Sequence, residues 1–344
     1  MKRHGNLFDE AIRFESLLAA ARRARAGTRP TEAVCKFNFR LENELLRLQG
    51  ELLDGSYRPR PYRFFTVQDP KRRRIAVADF RDRVVHHAVV GALEPIFEKT
   101  FIHDSYATRK GKGSHAAVFR AQQFLRQGGW FFKTDIEKCF DSVRHDLLLA
   151  QVARKIKDPR LLELVARILE NGASSPLQLA EGQGAELGLP IGNLTSQFFA
   201  NVHLHDLDVF VKNELRVRHY LRYMDDFVLF FSEKSAARAA RAPIADWLSE
   251  NLSLRLKAKN TLVNSAANGL PFLGTRIFPA LIRFHPENAR RAERKLLQKK
   301  QLFERGECSP EAWAQSLQAY HAIFSAYGTH ALRKHIFEKH GLLA

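Results

Sequence analysis

The chain has 344 residues, 45% apolar and 27% charged, which is ample for a large core and too much for a disordered chain. Lys and Arg outnumber Asp and Glu by 55 to 37, a formal charge of +18, so polyanions are attracted at long range and in a salt-dependent way. No run of about 18 apolar residues offers a membrane span, MKRHGNLFDE lacks the apolar stretch of a secretory signal, and Cys35, Cys139 and Cys308 form no CxxC pair; the expected setting is a reducing cytoplasm, with nucleic acid as partner and no membrane.

In chain order, residues 8–54 read as helical. Leu17, Leu18 and Ala21, then Leu41, Leu45, Leu46 and Leu48, recur near helical spacing, and RRARAGTRP at 22–30 interrupts them. Residues 58–80 read as a hairpin with a basic tip: Tyr62 to Val67, then Lys71-Arg72-Arg73-Arg74, then Ile75-Ala76-Val77. Helical spacing returns over 82–99. WFFKTDI at 130–136 is a short apolar strand ending in an acid, and a helix is expected from about Ser142, as N-cap, to Lys157. A Gly-rich stretch (Gly182, Gly184, Gly188, Gly192) leads to a helix from about Thr195, with Phe199, Val202, Leu207 and Phe210 near one face. His203, His205, Asp206 and Asp208 invite a metal reading, but their mixed spacing reads better as a partly solvated helix face. HYLRYMDDFVLFF at 219–231 is a buried hairpin around a tight polar centre, and 271–284 is another short hairpin. The remainder is helical. From Arg290 to Arg305 there are seven Arg or Lys, with Ala289, Ala292, Leu296 and Phe303 able to face inward, a basic amphipathic helix suited to a phosphate backbone.

The chemistry centres on Asp225 and Asp226. Adjacent carboxylates in an apolar hairpin repel each other, and each costs several kcal/mol to desolvate unless something compensates. Divalent cations compensate; the alternative is a solvated turn, against which Tyr223 and the run Phe227 to Phe231 argue. Asp135, ending a second apolar strand, supplies the third carboxylate of a two-metal site with ions about 3.5–4 Å apart, or is simply a helix-entry acid. Mg²⁺ suits a few carboxylates plus substrate phosphates.

Lys133-Thr134-Asp135 with Phe140, the run Leu189 to Gln197, and Tyr223-Met224-Asp225-Asp226 resemble motifs A, B and C of reverse transcriptases, in order and over nearly the whole chain. DPKRRRIAVADFRDRVVHHA and LEPIFEKTFIHDSYATRKGKGSHAA resemble the fingers segments of bacterial members, and PFLGTRIFP the motif E region. Ile191-Gly192-Asn193 with Ser196-Gln197, where intron and retroviral enzymes typically carry Gln before that Gly, is similar to reverse transcriptases of diversity-generating retroelements, as is the opening KRHGNLFD.

This resemblance implies an α+β right-hand polymerase with an antiparallel palm sheet: residues 1–57 an N-terminal helical extension, 58–129 fingers, 130–282 palm with an interleaved fingers segment at about 158–195, and 283–344 a helical basic thumb. It implies Asp135, Asp225, Asp226 and the Ile136 backbone carbonyl as ligands of two Mg²⁺ ions, with Mn²⁺ as substitute. Arg73 would contact the incoming triphosphate, or belong to a solvated basic loop. Phe140 would be the steric gate against a ribose 2′-hydroxyl, or ordinary core packing. Ile191, Gly192 and Gln197 would lie at the nascent pair, where Ile191 removes a Gln hydrogen bond that would define its geometry. In motif D, Asn260 occupies the usual Lys position, so Lys259, one residue early, is the candidate general acid. The subgroup copies a template-repeat RNA with errors at adenine and works with a small basic oligomeric accessory protein, the accessory variability determinant. No RNase H or endonuclease domain is expected after the thumb. The rival readings are another bacterial reverse transcriptase (group II intron, retron or phage-defence type), or an RNA-binding maturase or scaffold whose catalysis is dispensable.

Overall fold

The computed structural model describes residues 3–27, 30–68, 72–173, 187–325 and 327–342. Its N-terminal part is four helices, α1 (Leu7–Ile12), α2 (Phe14–Arg25), α3 (Glu32–Phe39) and α4 (Leu41–Leu53). α2 buries Leu17, Ala20, Ala21 and Ala24, and α4 buries Leu45, Leu48 and Leu52, the spacing that gives a helix one apolar stripe. α2 packs on α4 and on α5 (Phe80–Phe97), which Asp79 caps by accepting a hydrogen bond from the Arg81 N–H. Just before α5, the antiparallel hairpin β1 (Arg63–Gln68) and β2 (Arg72–Val77) exposes Phe64 and Phe65. The tip of this hairpin, with Pro70 and Lys71, lies outside the described residues.

α6 (Ser114–Leu125) precedes β3 (Trp130–Asp135), and α7 (Cys139–Ser142), α8 (His145–Ala153) and α9 (Pro159–Ala173) follow it. Next come α10 (Leu194–Val209), running into a π-helical turn at Phe210–Glu214, then β4 (His219–Tyr223), β5 (Asp226–Phe231), α11 (Lys234–Ala239), α12 (Arg241–Leu252) and β6 (Leu262–Ser265). These strands form one antiparallel sheet in the order β4-β5-β3-β6. Successive side chains of a strand point to opposite faces, and both faces here are apolar. Phe132, Tyr220, Phe227 and Leu229 join a core with α10 and α12, whereas Phe131, Leu221, Val228 and Phe230 join another with α6. A sheet covered on both sides explains why its strands read as continuous apolar runs.

Three expectations change. The helix expected from Ser142 to Lys157 is broken: Ser142 ends α7, Val143 is extended, and Arg144 stands at the N-cap position of α8. The extended Val143 accepts a hydrogen bond from the Gly188 N–H at 2.9 Å, so the break docks the segment that leads into motif B. Gly182 and Gly184 lie outside the described residues. The hairpin expected at 271–284 has three strands, β7 (Leu270–Phe272), β8 (Thr275–Ile277) and β9 (Ile282–Phe284), because the chain turns back between Phe278 and Leu281 with a 2.8 Å backbone bond. The face carrying His203 and Asp208 is not solvated, since both residues are fully buried.

The C-terminal helices α13 (Pro286–Glu304), α14 (Pro310–Ser325) and α15 (His330–Lys339) enclose a small core of Leu296, Ile336 and Phe337. Arg290, Arg294 and Lys295 of α13 are exposed, Ala289 and Ala292 are half-buried, and Phe303 stacks on Trp313. Among the described residues no helix is long and apolar enough to cross a membrane.

Candidate active site

The sheet brings the carboxylates together. In the β3–β5 register Asp135 lies directly opposite Asp226, and Tyr223 pairs with Asp226 across the β4–β5 hairpin. Met224 and Asp225 form the two-residue turn. Met224 has φ 54°, a left-handed conformation that such turns favour but that costs a side-chain-bearing residue about 1–2 kcal/mol. The Asp225 carbonyl accepts a hydrogen bond from the Ile136 N–H at 3.1 Å, which ties the turn to the end of β3. Asp135, Asp225, Asp226 and Ile136 thus share one end of the sheet.

The charge at this end is incompletely balanced. Lys133, two residues before Asp135 on the same face of β3, places its ammonium 2.7 Å from Asp226 Oδ1 and 3.5 Å from Asp135 Oδ1. Even so, burial pushes the Asp226 carboxyl up to about 7, with Lys133 acting against the shift and Asp135 and Asp225 adding to it. Burial, and then the Asp135 charge, also raise Asp225, while Lys257 and Arg73 draw it down. Among the described residues no three His, Cys, Asp or Glu side chains are preassembled around one point. The donor chemistry nevertheless fits divalent cations: hard oxygen ligands, excess negative charge, and an ammonium already standing between Asp135 and Asp226 where a cation is favoured.

The motif D segment contributes through different residues from the one expected. Lys257 Nζ is 4.0 Å from Asp135 Oδ2, its N–H donates to the Asp135 carbonyl at 2.8 Å, and Asn260 Nδ2 donates to Asp135 Oδ2. Lys259 is exposed. The 3₁₀ turn at Ala258–Asn260 brings residues three apart, Lys257 and Asn260, to the same side.

Motif B is held against the hairpin. The Ile191 carbonyl accepts from the Ala76 N–H at 2.8 Å, and Asn193 Nδ2 donates to the Ala76 carbonyl at 3.2 Å. Gly192 has φ 116°, and a Cβ there would lie 2.7 Å from Ile75 Cγ2 and 2.9 Å from the Ala76 carbonyl oxygen, so both the conformation and the contact demand glycine. Arg73 is exposed on β2 and close enough for its charge to act on Asp225. Phe140, half-buried, packs on the helical core, and its carbonyl accepts from the Leu189 N–H at 2.6 Å. Gln197 is exposed, one turn into α10, and its Oε1 accepts from Thr108 Oγ1 at 3.4 Å.

Behind the turn lies a network that sequence reasoning missed. Arg222 is fully buried and meets Asp208 through two 2.7 Å bonds. It also donates to Asn201 Oδ1 at 3.1 Å and to the Met224 carbonyl at 3.2 Å. Tyr220 adds a 2.8 Å bond to Asp208. The strained turn is therefore braced from α10. The available signal was Arg222 itself, a charge inside the otherwise apolar strand of HYLRY. The other polar groups of α10 serve packing: His203 Nδ1 lies 2.7 Å from Gln151 Oε1, and Asp206 accepts from Gln151 and Arg154.

A sequence model of the family described as "Reverse transcriptase (RNA-dependent DNA polymerase)" matches residues 68–277. Protein YkfC of Escherichia coli (strain K12) is 29% identical over 277 residues, which cover 69% of this chain and 72% of that protein. Group II intron-encoded protein LtrA of Lactococcus lactis subsp. cremoris is 30% identical over 173 residues, 49% of this chain but 28% of LtrA. A solved chain of apo telomerase from Candida Tropicalis overlays with a TM-score of 0.45 at 14% identity, over 65% of this chain and 55% of that one.

Proposed function

Since this chain belongs to the reverse transcriptase family and is an RNA-directed DNA polymerase, we propose that it extends a DNA primer on an RNA template by two-metal nucleotidyl transfer at Asp135, Asp225 and Asp226. The observation that carries this is the placing of half-buried Asp226 directly opposite Asp135, with Asp225 in the adjoining turn: a strand end where clustered carboxylates call for cations. The primer 3′-oxygen bonds to the α-phosphorus of the incoming nucleotide, the bond to pyrophosphate breaks, and the hydroxyl proton passes to solvent water. These carboxylates and the Ile136 carbonyl would hold two Mg²⁺ ions, or Mn²⁺, which would acidify the 3′-hydroxyl and offset charge on the pyrophosphate.

The rest of the site then takes up substrate. Arg73 holds the triphosphate, as a guanidinium suits bidentate phosphate contact. The Phe140 ring excludes a ribose 2′-hydroxyl, and Ile191, Gly192 and Gln197 border the nascent pair. For the general acid, Lys257 replaces Lys259 as the better-placed cation. Residues 1–57 form the extension, 58–129 the fingers, 130–284 the palm with the interleaved segment at about 158–195, and the helices after Phe284 the thumb. The palm boundary is set after β9 so that the strand stays whole.

The subtype we favour is the reverse transcriptase of a diversity-generating retroelement, acting in the cytoplasm on a template-repeat RNA with a small basic oligomeric accessory protein. Ile191 supports it, because an apolar side chain beside the nascent pair offers no hydrogen bond to discriminate against poor pairs. The similarity to LtrA favours a second reading, an intron-type enzyme, although it covers little of that protein. Sequencing cDNA made from an RNA containing all four bases, with and without the accessory protein, tests the choice. Adenine-focused errors that Ile191→Gln suppresses support the retroelement; accurate cDNA from the wild type moves the chain to another bacterial subgroup.

A further inference from the structure

Lys133 is the one charged residue of β3 before its terminal Asp135. In the register it lies opposite Val228 of β5 and Leu262 of β6, and it is 9% exposed. An ammonium so placed is costly unless it is paired. Its pairing is with the acids of the site: Nζ is 2.7 Å from Asp226 Oδ1 and 3.5 Å from Asp135 Oδ1. The charge therefore occupies the space between two carboxylates that face each other across β3 and β5.

The hold on Asp226 is by charge more than by alignment, since its Oδ1, closed off from solvent, has no hydrogen-bond partner among the described residues. The other oxygen of Asp135 is served separately: Asn260 Nδ2 donates to Oδ2, and Lys257 Nζ lies 4.0 Å from it. The two lysines are not equivalent. The Lys257 side chain is 38% exposed, and solvent screens its charge. That of Lys133 is 11% exposed and acts with little screening. Among the described residues, Lys133 is the cation that stands on the oxygens a metal would need.

We infer that Lys133 is a positioning residue that holds Asp135 and Asp226 together while the site is without metal, and that it competes with a divalent ion for the oxygens between them and so sets how tightly the site binds metal. The inference rests on the reading of these carboxylates as the metal site. An ammonium brings one charge and three hydrogen-bond donors, whereas a divalent ion brings two charges and bonds to carboxylate oxygens directly. Both cannot hold the same oxygens at these distances without repulsion, so binding metal includes the work of moving the ammonium aside. Weak retention suits an ion whose coordination is completed by substrate phosphates: the site stays assembled when empty and fills when those phosphates arrive. A lysine that served only the fold would act in the other direction, because its loss would let the carboxylates separate and would weaken metal binding.

The test is the binding of Mn²⁺ to the full chain without nucleic acid, at fixed pH, read from the electron paramagnetic resonance signal of the free ion. Lys133→Met keeps an unbranched stem opposite Val228 and removes the charge. It is expected to bind Mn²⁺ roughly tenfold more tightly than the wild type and, in chelator, to unfold at a lower urea concentration. Lys133→Arg, which returns the charge, is expected to bring the affinity back towards the wild type. Should Lys133→Met fail to fold, the wild type alone decides: an amine-reactive reagent, followed by mass spectrometry, is expected to label Lys133 faster in saturating Mg²⁺ than in chelator, because the ammonium has been displaced. Affinity of Lys133→Met for Mn²⁺ equal to or weaker than that of the wild type, or labelling that Mg²⁺ leaves unchanged, overturns the inference. Failure of the metal-site reading would show separately, as Mn²⁺ binding that Asp135→Asn leaves unchanged.

Discussion

Behind the Tyr223–Asp226 turn, Arg222 and Asp208 are both fully buried and meet through two 2.7 Å bonds. In front of it, Asp135, Asp225 and Asp226 share the ammonium of Lys133 and the edge of Lys257. The two regions lie on the same short hairpin and differ in how their charge is balanced. At the back each ion has a partner and the remaining polar atoms are bonded, so breaking the pair should cost stability and little else directly. At the front negative charge exceeds what the chain supplies, and burial raises Asp225 and Asp226 instead. A protein retains such an excess where a cation is to be bound. The comparison separates residues that build the turn from residues that use it.

Substitutions should break the contrast in opposite directions. Asp226→Asn is expected to lower RNA-templated DNA synthesis by at least about 10³-fold, because it removes a carboxylate from a site whose cations contribute several kcal/mol. The same change should stabilise the metal-free protein at pH 8. A carboxyl raised to about 7 in the fold stabilises it at pH below the unfolded value near 4, and that contribution is lost as pH rises through 7. The gain at pH 8, read by urea unfolding in chelator, should be about 1–3 kcal/mol and should vanish near pH 4. Equal stability of the two proteins at both pH values would show that Asp226 carries no excess charge.

Arg222→Met tests the back of the turn. Leaving Asp208 buried without its partner should cost about 3–5 kcal/mol, and the double change Arg222→Met with Asp208→Leu should recover most of it, since paired buried ions often do no better than apolar replacements. If the double variant is as unstable as the single one, the network does more than neutralise charge. Gly192→Ala should cost about 1–3 kcal/mol through its φ of 116° and the 2.7 Å approach to Ile75, with a matching rise in KM for the incoming nucleotide. Smallest of all, Lys257→Ala should slow incorporation by about 10²-fold or less, within the usual range for a positioned acid, while Lys259→Ala leaves it unchanged.

The front of the turn was legible in the sequence and the back was not. Asp135, Asp225 and Asp226 each interrupt or end an apolar run, and a strand pattern is enough to set them at one edge of a sheet. Lys133 was within reach of the same logic, being two residues from Asp135 on one strand face. Asp208 was not: on a helix its neighbours His205 and Asp206 are polar, and only tertiary packing decides that Asp208 turns inward to Arg222 while Asp206 meets Arg154 near the surface. In motif D a 3₁₀ turn sets Lys257 and Asn260 beside Asp135 and leaves Lys259 exposed, a placement that no strand or helix spacing announces. The break between α7 and α8 was hidden for a similar reason. Ser142 looked like a cap, but the extended Val143 is recruited by Gly188, 45 residues later.

The most direct test is single-nucleotide incorporation on an RNA template with a DNA primer, with Mg²⁺ and the complementary dNTP, comparing the wild type with Asp225→Ala at matched RNA binding. The account predicts a wild-type product that depends on Mg²⁺, with the variant at least about 10³-fold slower although it binds the template equally well. Incorporation by the variant at near wild-type rate would contradict the assignment of the carboxylates as the catalytic centre.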